Sequence, residues 1–183
     1  MKLVYKGTLY KLFSVLRFFL ARLWYPRRFQ CKQLSMIGKQ CGIHIFKNGS
    51  INCKGRVILN DQVMLFAKGQ LSIGKRFRCN KFSRLVAHEK IKIGDNVVIG
   101  QMVTIVDHDH KYILENGEMD FRDYETAPIR IGNNVWIADK CTILKGVTIG
   151  DNVVVAANAV IHKDVPPNCI VGGVPFRILR QLK

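Results

Sequence analysis

Acidic residues are absent from residues 1–60, although this segment carries 12 Lys or Arg. Residues 61–183 carry 17 basic and 13 acidic residues, so most of the net charge of +16 lies at the amino-terminal end. Such a basic segment fits a nucleic acid or an anionic membrane surface. Because no motif combines aromatic and basic residues for contact with bases, we expect no nucleic-acid partner.

The six cysteines include no CxxC pair, which excludes the linear zinc and redox motifs built on that spacing. Cys41, Cys79 and Cys141 fall where the repeat described below takes a small buried residue. This use of Cys as a small apolar side chain is typical of a reduced, cytoplasmic protein.

No long apolar run is free of charge. Lys11, Arg17 and Arg22 interrupt the most apolar stretch, and no small-residue cleavage site of a secretory signal is evident. Residues 1–30 are therefore predicted to form a basic amphipathic helix that Pro26 ends. Its apolar positions have helical spacing: Leu9, Leu12, Phe13, Leu16, Phe19, Leu20 and Leu23.

Two partners remain open for this helix. Residues 1–28 suit peripheral contact with the anionic inner face of the cytoplasmic membrane, with Trp24 and Tyr25 at the polar boundary. Alternatively, the apolar face packs on the rest of the chain or on a partner subunit.

The most informative pattern is an aliphatic residue at every sixth position between residues 131 and 161. The series comprises Ile131, Ile137, Ile143, Ile149, Val155 and Ile161. Neither a helix nor an ordinary strand needs this period, whereas each flat side of a triangular β-solenoid takes about six residues. Small residues and Asn between the aliphatic positions suit the tight corners of such a coil.

The same period marks the limits of the predicted domain. Interrupted runs begin near Ile37, so we assign residues 31–165 to an all-β solenoid. The gap between Ile105 and Ile131 predicts an excursion loop at about 106–130, most of which leaves the coil. Residues 166–183 form a tail with a predicted short helix.

The excursion begins with Asp107-His108-Asp109-His110. Histidine suits proton transfer because its pKa lies near physiological pH, and a neighbouring carboxylate can orient its ring. The residues alone leave two other readings open. The histidines could be solvated while Asp107 caps a turn, or His88 could join them in a zinc site, although their spacing matches no linear metal motif.

Several of these segments together resemble the hexapeptide-repeat acyltransferases, and among them the galactoside, maltose, nodulation and polysaccharide O-acetyltransferases. The resemblance covers about residues 37–183. It is carried by the hexapeptides, the Asp107–His110 segment, IGNNVWI at 131–137 and the tail from KDVPPN to GVPFRILR. It implies a left-handed parallel β-helix, a homotrimer with active sites between subunits, and acetyl-CoA as the acyl donor, with no metal.

The resemblance also assigns roles to individual positions. His110 would be the general base, with His108 as second choice and Asp107 beside them. Asn80 and His88 would lie on the acceptor side, where His88 replaces the acid of many relatives. The positions that match coenzyme A contacts are Trp136, Asp139, Ala157, His162, Lys163, Arg177 and Arg180.

We therefore expect O-acetylation of a sugar hydroxyl in a cell-surface polysaccharide or lipid-linked saccharide precursor. Three alternatives share the solenoid: acetylation of a soluble small molecule or antibiotic, a carbonic anhydrase of the γ class with three histidines on zinc, and a scaffold without catalysis.

Overall fold

A computed structural model describes residues 2–182, and the side chains from residue 7 onward. One helix, α1 (Lys2–Trp24), precedes 24 short strands in the described chain. Among the described residues, no helix is long and apolar enough to cross a membrane.

The strands form successive coils with three sides each. In chain order the coils comprise β1 (Phe29–Cys31), β2 (Met36–Ile37), β3 (Gly42–Ile45); β4 (Ser50–Cys53), β5 (Val57–Leu59), β6 (Met64–Ala67); β7 (Gln70–Ile73), β8 (Phe77–Cys79), β9 (Arg84–Ala87); and β10 (Lys90–Ile93), β11 (Val98–Ile99), β12 (Thr104–Val106). An arm follows, with β13 (His108–His110), β14 (Ile113–Glu115), β15 (Glu118–Asp120) and β16 (Tyr124–Thr126). The coil then resumes with β17 (Ile129–Ile131), β18 (Trp136–Ile137), β19 (Thr142–Ile143); β20 (Thr148–Ile149), β21 (Val153–Val155), β22 (Val160–Ile161); and ends with β23 (Cys169–Gly172) and β24 (Arg177–Gln181).

Parallel pairing between coils builds three sheets around one core. Sheet A has the order β1-β4-β7-β10-β17-β20, sheet B β2-β5-β8-β11-β18-β21-β23-β24, and sheet C β22-β19-β12-β9-β6-β3. The predicted six-residue positions from Ile131 to Ile161 are at most 3% exposed. The predicted solenoid is therefore confirmed.

The corners use the polar residues that the pattern predicted for them. Asn96, Asn134, Asn152 and Asn168 all have positive φ, and their side chains form a hydrogen-bonded ladder from coil to coil. Asn tolerates this left-handed backbone better than most residues. The ladder also satisfies the side-chain amide groups of these asparagines, which would otherwise compete for backbone hydrogen bonds.

The excursion leaves and rejoins the coil where the broken period predicts. Ile93 pairs with Ile131, and Ile131 pairs in turn with Ile149. The coil that contains the arm is therefore roughly twice as long in sequence as the coil that follows it. The arm accounts for this extra length, because the strands on both sides of it keep their places in the three sheets.

The predicted carboxyl-terminal helix is wrong. Residues Arg177–Gln181 form β24, which pairs antiparallel with β23 at the end of sheet B. A helix this short would be marginal by itself, whereas the free backbone groups of β23 offer hydrogen bonds to an extended chain.

Close stacking of the coils leaves no room for a side chain at several glycines, among them Gly49. A Cβ atom on Gly49 would lie 2.0 Å from Ala67 O, which already accepts a hydrogen bond from Phe46 N. Gly49→Ala is expected to destabilise the protein by about 1–3 kcal/mol because the coils must separate locally. The control Gly7→Ala meets nothing within 4 Å on α1 and should stabilise by about 0.5–1 kcal/mol. Urea unfolding followed by circular dichroism measures both, and equal changes would contradict the prediction.

Candidate active site

The arm places its histidines at the surface of the solenoid. Strands β13 and β16 pair antiparallel, with His108 opposite Thr126 and His110 opposite Tyr124. Lys145 holds the base of the arm, because its Nζ lies 2.6 Å from Glu125 Oε2. The two histidines therefore occupy a defined ribbon rather than a loop without regular structure.

Asp107 lies beneath this ribbon and is completely buried. Its carboxylate accepts hydrogen bonds from the backbone N–H groups of His88, Glu89 and Lys90, at 2.7, 2.9 and 2.7 Å. Its Oδ1 is 3.5 Å from His108 Nδ1, beyond a normal hydrogen bond. These contacts make Asp107 the cap of the turn in the preceding coil.

His88 and His108 form a stacked pair above Asp107. Their ring centroids are 3.6 Å apart and the planes differ by 7°. Burial lowers the pKa of His88 to about 4 and also lowers the pKa of His108. His88 is therefore neutral near pH 7, and a neutral pair can stack without repulsion between two cations.

His110 is exposed at the outer end of β13. Its Nδ1 lies 3.1 Å from Phe121 O. Because a carbonyl oxygen only accepts, Nδ1 must carry the proton, and the neutral ring then presents the lone pair of Nε2. Nε2 has no hydrogen-bond partner within residues 2–182.

Tyr124 stands at the centre of the cluster. Its ring centroid is 4.8 Å from that of His88, 5.5 Å from His108 and 4.6 Å from His110. Lys68 Nζ lies 4.9 Å from the same ring, a cation–π contact. Tyr124 thus separates the half-buried histidine pair from His110.

Within this single chain, Asn80 lies away from the histidines. It follows β8 at the corner between sheets B and C, where its Oδ1 accepts a hydrogen bond from Asn60 Nδ2 at 2.6 Å. His88 follows β9 at the next corner. The structure does not bring the two predicted acceptor residues together.

The positions that match coenzyme A contacts surround the last three coils, on sheets B and C. Trp136 points outward from sheet B and is 53% exposed, and Arg177 and Arg180 lie on β24. His162 and Lys163 contact the ring of Phe176. Ala157 and Asp139 lie at the corner between the sheets, where Asp139 Oδ1 accepts the backbone N–H of Gln101.

A groove along sheet A was not predicted. Lys54, Lys92 and Arg130 line it together with Asn52 and Ser72, and none of the predicted site residues does. Among the described residues, no group of three His, Cys, Asp or Glu side chains could hold a metal ion.

Comparison with known proteins decides the family. Residues 128–163 match the family model described as "Bacterial transferase hexapeptide (six repeats)". A hexapeptide-repeat acetyltransferase of Vibrio cholerae, solved in complex with acetyl coenzyme A, is 30% identical with a TM-score of 0.58. The likeness covers 85% of this chain and 71% of that one. The chain belongs to the hexapeptide-repeat acetyltransferase family. The left-handed parallel β-helix implied by the resemblance is thereby confirmed.

Two curated relatives belong to the same hexapeptide-repeat group. The galactoside O-acetyltransferase of Escherichia coli is 42% identical over 115 residues, which are 61% of this chain and 54% of the relative. WbbJ of the same organism, named as an O-acetyltransferase of lipopolysaccharide biosynthesis, is 30% identical over 123 residues, 63% of each chain. The chain thus spans between half and two thirds of the length of these relatives.

Sequence reasoning missed Lys68 and Tyr124 in this hexapeptide-repeat protein. Ala67 pairs with Ala87 in the next coil, so Lys68 and His88 occupy equivalent positions at one corner. The equal spacing of positions 68, 88 and 108 was therefore a usable signal. Tyr124 gave no such signal, because its position depends on pairing within the arm.

Proposed function

We propose that the chain transfers an acetyl group from acetyl-CoA to a hydroxyl of a saccharide, with His110 as the general base. The observation that carries this proposal is the orientation of the His110 ring, whose protonated Nδ1 faces Phe121 O while Nε2 is open to an incoming hydroxyl. His108 is less suitable, because its side chain is 16% exposed and its ring is covered by His88.

The reaction needs only one proton carrier from the protein. His110 Nε2 takes the proton of the acceptor hydroxyl as the hydroxyl oxygen attacks the thioester carbon. A backbone N–H can stabilise the tetrahedral oxyanion. The C–S bond then breaks, and the imidazolium returns the proton to the thiolate of coenzyme A. No acyl-enzyme forms, so no nucleophilic Cys or Ser is required.

Coenzyme A would lie along the last coils. Lys163, Arg177 and Arg180 supply cations for its phosphates, and Trp136 supplies an exposed apolar surface. We propose a homotrimer in which a neighbouring subunit completes this site. In its support, the arm exposes large apolar side chains that another subunit could cover: Tyr112, Ile113, Leu114, Met119 and Phe121.

The acceptor is proposed to be a sugar of a cell-surface polysaccharide or its lipid-linked precursor, acetylated on the cytoplasmic side, where the protein would reside. The likeness to WbbJ supports this choice, and the likeness to the galactoside enzyme supports a sugar hydroxyl. Acetylation of a soluble small molecule is the competing outcome.

Purified protein with acetyl-CoA is expected to release free coenzyme A thiol only when a suitable saccharide is added. A panel of a free galactoside, an oligosaccharide, a lipid-linked saccharide and an aminoglycoside antibiotic distinguishes the acceptor classes. Thiol release and mass spectrometry of the acceptor measure the transfer. Failure of acetyl-CoA to bind in calorimetry, with the protein folded, would contradict the proposal.

A further inference from the structure

The outward side of α1 carries a continuous apolar surface. At about 100° per residue, eight side chains occupy an arc of about 140° that no polar residue interrupts between residues 7 and 24. We call this set the outer face, and its members are 49–79% exposed: Leu9, Leu12, Phe13, Leu16, Phe19, Leu20, Leu23 and Trp24. Exposed apolar patches of this kind mark interaction sites.

The opposite side of α1 fixes the helix on the solenoid. Phe18 is 1% exposed and packs edge-to-face against Phe29 of β1. Ser14 is completely buried, and Tyr10 donates a hydrogen bond of 2.7 Å to Asp61 Oδ1. The outer face therefore cannot turn toward the core without breaking these contacts. Of the two alternatives to membrane contact, packing of this face on the same chain is contradicted.

Cations flank the outer face unevenly. On the wheel, exposed Arg22 lies about 60° and exposed Lys11 about 80° from one edge of the face. Arg17 follows the other edge but is half-buried, and its Nη1 is enclosed. The first coil adds exposed Lys32, Lys39 and Lys47, and the first acidic residue in the sequence is Asp61. Two copies of this end would repel each other, whereas anionic headgroups would neutralise it.

We infer that α1 docks the protein on an anionic lipid bilayer, with the outer face at the level of the acyl chains and the exposed cations Lys11 and Arg22 at the headgroups. An interfacial helix inserts its apolar face only about 5–10 Å, so docking requires no membrane-spanning segment. Trp24, which is 79% exposed, lies at the end of the face, where an indole ring suits the interface. This inference is independent of the proposed acetyl transfer.

Sedimentation with vesicles tests the docking on the full chain. The wild type is expected to bind mixed vesicles of phosphatidylcholine and phosphatidylglycerol, and to bind pure phosphatidylcholine weakly. Leu16→Ser/Phe19→Ser/Leu23→Ser should lower the partition coefficient by at least about 100-fold, because three apolar side chains no longer leave water. Lys11→Gln/Arg22→Gln should lower it by about 25-fold, but only for the anionic vesicles.

Matched controls distinguish vesicle binding by the outer face from nonspecific adsorption of any exposed apolar or basic residues. Val174→Ser/Ile178→Ser/Leu179→Ser removes three apolar side chains of comparable exposure (46–69%) at the opposite end of the solenoid and should leave vesicle binding unchanged. Lys75→Gln/Lys92→Gln removes two exposed cations from the middle coils and should also have little effect. Circular dichroism verifies that each variant is folded.

Fluorescence gives a second readout. In Trp136→Phe protein, Trp24 is the remaining tryptophan, and its emission should shift to shorter wavelength with anionic vesicles and be quenched by brominated lipid. Absence of vesicle binding, equal binding to neutral vesicles, or an equal loss in the carboxyl-terminal control would overturn the inference. The inference would also be overturned if, without lipid, the triple outer-face variant differs from the wild type in molecular mass by sedimentation. The outer face would then be a subunit contact.

Discussion

His110→Ala is expected to lower the rate of acetyl transfer by about 10²–10⁴-fold, the usual contribution of a general base. The loss should appear in kcat, because the ring acts when the hydroxyl attacks, while the affinity for acetyl-CoA changes little. His110 is exposed, so its removal leaves no cavity in the core and the variant should remain folded.

The informative control for His110 is its neighbour on β13. His108→Phe retains a flat ring that can stack on His88, and we expect it to keep most of the activity. Steady-state kinetics at saturating acceptor, with isothermal titration of acetyl-CoA, measure both variants. If His110→Ala keeps full activity while His108→Phe loses it, the assignment of the base moves to His108.

Asp107→Ala is expected to destabilise the protein by about 3 kcal/mol or more. It leaves three backbone N–H groups of the preceding corner without their acceptor, and each unsatisfied buried donor costs about 1–3 kcal/mol. For a chain of this size, the melting temperature should fall by about 6–12 °C. Asp107→Asn, which retains one acceptor oxygen, should have a melting temperature between those of the wild type and Asp107→Ala.

Thermal unfolding by calorimetry measures this loss. Asp139→Ala is the control, since Asp139 Oδ1 accepts one backbone N–H at an exposed corner and its loss should cost about 1 kcal/mol. A wild-type melting temperature in Asp107→Ala together with a large loss of kcat would contradict the structural role. Asp107 would then act through His108.

The repeat could be predicted because each six-residue unit is buried by neighbouring units with the same sequence pattern. Ile137 and Ile143 are buried by neighbouring coils of the same pattern, so each six-residue unit carries the same constraint. The tail carries no such constraint. Its alternation of Ile178, Leu179 and arginines suits a short helix or a strand, and the open edge of β23 decides between them.

Only part of the candidate site could be predicted from the sequence. The gap in the period isolates the segment with His108 and His110, whereas the partners of that segment come from pairing that no local pattern encodes. Tyr124 reaches His110 through the antiparallel register of the arm, and Phe121 contributes only a carbonyl group. Helical spacing likewise marked the apolar side of α1 but carried no information about what covers it.

The position of α1 across the first coil also affects how long the β-structure can grow. A solenoid ends in strands with unpaired backbone groups. Such strands can pair with those of another molecule, so that solenoids join end to end into fibres. Packing of Phe18 on Phe29 obstructs the amino-terminal end, while β24 turns antiparallel and interrupts the parallel repeat at the other. Truncation of the helix would therefore expose the strand edges of the first coil to other chains. Aggregation of such a fragment would result from intermolecular pairing at these edges.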